Sequence, residues 1–74
     1  MEAIFYDILV FATDIRTESD LLKVSDALNE NPEIHRWSID QEDKDCVLRV
    51  ESTLSPSEII ELIISYKFDC AELE

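Results

Sequence analysis

The sequence predicts an α+β sandwich of element order βαββαβ, and three observations predict it. Two segments carry apolar residues at helical spacing behind a capping signal, and four others are short runs of β-forming residues. A polar connector and two proline-containing turns separate them. At 74 residues the chain is one domain, 1–74, because a shorter piece could not bury a useful core of its own. Apolar residues make up 46% and charged residues 32%, a globular balance despite a formal charge of −12.

Residues 4–12 hold aromatic and β-branched side chains at both parities, so the first strand is read as apolar on both faces. Tyr6, Ile8, Val10 and Ala12 form the set expected to face the helices, leaving Phe5, Leu9 and Phe11 on the other side. Thr17-Glu18-Ser19-Asp20 pairs a hydroxyl with an acid three residues later, ahead of Leu21, Val24 and Leu28, which predicts a helix over 18–30. Asn31 and Pro32 stop it, since proline lacks the required donor and restricts its predecessor.

The second strand spans 34–39, with Trp37 and Ile39 facing one way and Arg36, Ser38 and Asp40 the other. Gln41 to Asp45 connect it, as a hairpin, to 46–51, where Cys46, Leu48 and Val50 take the buried parity. Ser55-Pro56-Ser57-Glu58 combines a capping hydroxyl, proline at the first helical position and an acid three residues after the cap. The helix it opens runs over 56–66, with a main stripe of Ile59, Leu62, Ile63 and Tyr66; Ile60 and Ile64 widen the apolar belt. Residues 68–73 close the chain as a fourth strand. The order is that of a ferredoxin-like βαββαβ sandwich, a four-stranded antiparallel sheet with two helices on one face.

Residues 10–74 resemble the heavy-metal-associated domain of copper chaperones and copper-pumping ATPases. The resemblance rests on the run from Lys23 to Ile34, on Trp37-Ser38-Ile39-Asp40 and on Phe68-Asp69-Cys70-Ala71-Glu72-Leu73. The family's signature is a Met-x-Cys-x-x-Cys loop between first strand and first helix, where two thiolates grip a soft metal. The matching positions here run from Ile15 to Asp20, and Thr17 and Asp20 stand where the cysteines would be. The resemblance therefore implies the fold and a binding role, with no thiol metal site and no resident cofactor. The family's glycine before that loop is Asp14 here, and the one before the last strand is Lys67 or Phe68.

Two other metal chemistries are weighed. Asp14, Glu18, Asp20, Asp40, Glu42, Asp43, Asp45 and Asp69 fall at one end of the sandwich in this topology, a possible oxygen set for a hard cation. Their spacing matches no EF-hand loop, and loop acids ordinarily cap helices and turns. Cys46 and Cys70 lie near the same end as a possible displaced soft site, but the first strand is expected between theirs, about 9.5 Å of separation. Both are read as free, buried thiols, and His35, the only imidazole, as an exposed or partly packed side chain that makes no transition-metal site by itself.

With 18 acids to six bases, the chain repels nucleic acid and acidic membranes, and its longest apolar run, Ile8–Ala12, is five residues. No leader precedes the first strand, so the cytoplasm is the expected compartment. The absence of glycine removes the phosphate-cradling loops, and no nucleophile-base constellation is seen, so no enzymatic activity is expected. What remains is an interaction module. Its expected contact, with a protein partner or a second copy as a dimer, is the open sheet face of Phe5, Leu9, Phe11 and Val47.

Overall fold

The computed structural model describes residues 7–73. The order is β1 (Asp7–Thr13), α1 (Glu18–Glu30), β2 (Ile34–Asp40), β3 (Val47–Ser52), α2 (Pro56–Ser65) and β4 (Cys70–Glu72). Both helices begin where their caps place them: Thr17 Oγ1 accepts from the Asp20 N–H at 3.0 Å, and Ser55 Oγ from the Glu58 N–H at 3.3 Å. Asn31 ends α1 in an extended conformation, and its side-chain oxygen accepts from the Glu33 N–H at 2.9 Å. Trp37 Nε1 donates to Asn29 Oδ1 at 2.8 Å, pinning the end of α1 to the middle of β2.

The strands form one antiparallel sheet in the order β2-β3-β1-β4, with β1 between β3 and β4 as the sequence predicts. Phe11, Ile15, Val24, Leu28, Leu48, Val50, Ile59 and Ile63 are fully buried between sheet and helices. Leu9, Trp37, Ile39, Ile60 and Leu62 pack at the margin of that core.

The parity expected for β1 is inverted. Phe11 pairs with Leu48 and Leu9 with Val50, so both lie on the helix-facing side with the buried residues of β3. Phe11 is fully buried and Leu9 packs against the core, so neither belongs to an open face. Alternation alone cannot orient a strand that is apolar at both parities; the pairing partner does so, and the bulkier set fills the core. Phe5 lies outside the described residues. Tyr66, expected on the buried stripe of α2, is the C-cap residue and is exposed, because the helix ends one residue sooner.

Among the described residues two have positive φ, Cys46 at 43° and Lys67 at 73°. Lys67 follows the C-cap of α2. Its N–H bonds the Ile64 carbonyl at 2.9 Å and the Phe68 N–H reaches the Ile63 carbonyl at 3.5 Å, the pattern of a Schellman stop. It is one of the two positions, Lys67 and Phe68, at which the resemblance puts a glycine.

Candidate functional site

The β1–α1 loop is held by hydrogen bonds on three sides. At its start Thr13 is buried, and its Oγ1 donates to the Cys46 carbonyl at 2.7 Å while accepting from the Ile15 N–H at 3.2 Å. Ile15 then turns fully into the core. From the β2–β3 connector, Gln41 Nε2 donates to the carbonyls of Thr17 at 2.8 Å and Ile15 at 3.4 Å. On the other side, Asp14 Oδ1 accepts from the Asp69 N–H at 2.8 Å, tying the loop to the start of β4.

Thr17 and Asp20 face each other across the first turn of α1 as a reciprocal cap. Besides the bond from the Asp20 N–H to Thr17 Oγ1, Asp20 Oδ2 accepts from the N–H groups of Thr17 and Arg16, both at 3.3 Å. Slight desolvation pushes the Asp20 carboxyl up; the hydrogen bonds from Thr17 and Arg16 and the charge of Lys23 outweigh it and hold the group below its usual value. Thr17 Oγ1 and Asp20 Oδ2 are thus both spent on backbone donors.

Arg16, exposed between Ile15 and the cap, sends Nη1 to the Lys44 carbonyl at 3.2 Å and to Cys46 Sγ at 3.6 Å. Cys46 is buried, Cys70 half-buried, and neither forms a disulfide. Cys70 pairs with Thr13 across β1–β4, while Cys46 meets Thr13 from the β3 side, so β1 stands between the two thiols. Two inter-strand spacings make about 9.5 Å, beyond the ~7 Å between Cα atoms that a disulfide requires. Burial pushes the Cys70 thiol up to about 11. It lines a shallow groove of ≈ 360 Å³ with Asp14, Arg16, Ile64, Asp69 and Ala71.

Besides Asp14 and Asp20, two further acids at this end serve as local acceptors. Asp40 Oδ1 takes the Glu42 N–H at 3.1 Å and Asp43 Oδ1 the Asp45 N–H at 2.8 Å, each shaping its own turn. Among the described residues, no three His, Cys, Asp or Glu side chains gather in a way that could hold a metal ion.

On β1, the sheet's open face is built by residues that the sequence reading assigned to the other side. Ile8, Val10 and Ala12 of β1 lie there, with Ala71 opposite Ala12 and Leu73 donating its N–H to the Val10 carbonyl at 2.8 Å. Val47 shares this side, as expected from its parity, and is half-buried. Ile8 is 62% exposed. Arg36 and Glu51, paired across β2–β3, form an ion pair at 3.4 Å, and Asp40 and Ser38 complete the face on β2. Arg49 stands between Val10 and Ser38 near the centre, and none of the described residues bonds or pairs with its guanidinium.

Among the described residues, no helix is long and apolar enough to cross a membrane. No protein-family model and no curated protein sequence matches the chain. Solved structures do. The copper(I)-loaded first domain of the human copper chaperone for SOD1 superposes with a TM-score of 0.79 at 18% identity, covering 90% of this chain and 92% of that one. The apo HMA domain of a copper chaperone for superoxide dismutase gives 0.78 at 16% identity, covering 100% of this chain and 76% of that one. The chain has the fold of a heavy-metal-associated domain, as its sequence predicts.

Proposed function

We propose that this is a non-enzymatic interaction module of the cytoplasm, with the heavy-metal-associated fold but no soft-metal loop. The carrying observation is the reciprocal cap: at the two positions where the family places thiolates, Thr17 and Asp20 present oxygens that already accept backbone N–H groups. Copper(I) takes sulfur ligands, and a hydroxyl and a carboxylate are hard donors, so a soft ion does not fit these residues. The loop needs no ion to keep its shape, because Gln41, Asp14 and Thr13 fasten it to its neighbours. A soft metal would also find Cys46 and Cys70 divided by β1, and of the acids that would serve a hard cation Asp40 and Asp43 accept bonds within their own turns.

Against enzymatic activity stands the shallowness of the groove beside Cys70, together with a thiol whose burial keeps it protonated near neutral pH. Binding through a surface is then the role left to a fold of this size. The test is competition for copper(I) against a chromophoric chelator, with parallel titrations of zinc and calcium. The expected result is no uptake beyond that of a generic acidic protein. One equivalent of copper(I) bound tightly, and lost on Cys46→Ser or Cys70→Ser, overturns the reading in favour of metal carriage at a displaced site.

A further inference from the structure

We draw no further inference here: the strongest candidate, the apolar patch of Ile8, Val10, Ala12 and Val47 on the open sheet face, carries nothing, because nothing in the structure shows what covers it.

Discussion

Thr17 and Asp20 hold each other's backbone N–H groups across the first turn of α1, the hydroxyl accepting at 3.0 Å and the carboxylate at 3.3 Å. Such a cap has a measurable weight. Thr17→Ala lowers the free energy of unfolding by about 1 kcal/mol. Because the bonds to Asp20 hold its carboxyl below the usual value near 3.8, its contribution is present above that pH and is lost as pH falls through the folded-state value. Urea midpoints between pH 5 and pH 2 should therefore decline more steeply in the wild type than in Asp20→Asn. Equal slopes would mean that the carboxylate is not engaged in solution.

Replacing the pair by Thr17→Cys with Asp20→Cys removes both halves of the cap and restores the family's thiol spacing. The metal-free double variant unfolds about 1 to 2 kcal/mol more readily, and it takes up one equivalent of copper(I), which returns the lost stability by binding only the folded state. Loss of stability without uptake would show that the clamps from Gln41 and Asp14 hold this loop off the family's path.

The sequence carried the elements well where a local signal existed. The capping hydroxyls of Thr17 and Ser55 place both helix starts, Pro32 follows the end of α1, and alternation in 34–39 and 46–51 orients β2 and β3 correctly. Orientation failed in β1, where both parities are apolar and the deciding information is non-local: Phe11 opposite Leu48 and Leu9 opposite Val50. The bulk of those two side chains, against the taper from Ile8 to Ala12, was a usable clue. Of the loop, the residues of the cap were legible from spacing, whereas the Gln41 clamp was not, because no periodicity marks a side chain that reaches across 24 positions. The place of Arg49 on the open face, between Val10 and Ser38, becomes visible only once the strand order is known.

Lys67 adopts φ 73°, where a Cβ is crowded and glycine is not. Lys67→Gly removes that strain without touching the core, since Lys67 is exposed and its backbone bond to Ile64 survives. Glycine's looser unfolded chain offsets part of the gain. The expected net change is a stabilisation of up to about 1 kcal/mol, or a melting temperature higher by several degrees in a domain this small. An unchanged or lower midpoint would place the stop of α2 in a different conformation in solution.

The Cys70 thiol, pushed up to about 11 by burial, stays protonated well past the pH at which an ordinary thiol ionises. Alkylation followed by mass spectrometry in native buffer at pH 8 should be slow at Cys70, and slow at Cys46, which is buried; both react promptly in denaturant. The same raised value ties stability to alkaline pH. The contribution is fully present below the unfolded thiol's value near 9 and is lost as pH rises towards 11, so Cys70→Ala should flatten the fall of stability over that window. Rapid modification of Cys70 in the folded protein at pH 8 would contradict this.

Phe11 and Ile8 sit three residues apart on β1, and the corrected parity gives their truncations opposite fates. Phe11 is fully buried against Leu48 and the two helices, so Phe11→Ala removes an aromatic ring from the centre of the core and leaves a cavity around it. Such a change costs about 3 to 5 kcal/mol, a large part of the 5–15 kcal/mol that holds an ordinary domain together. Ile8, 62% exposed on the open face, packs little, and Ile8→Ala costs well under about 1 kcal/mol in the monomer. Urea titrations at low micromolar concentration, where any dimer is dissociated, read the two values directly. Had β1 the orientation first expected from its pattern, the ranking would be reversed, so a milder loss for Phe11→Ala than for Ile8→Ala would refute both the register with β3 and the open face built upon it.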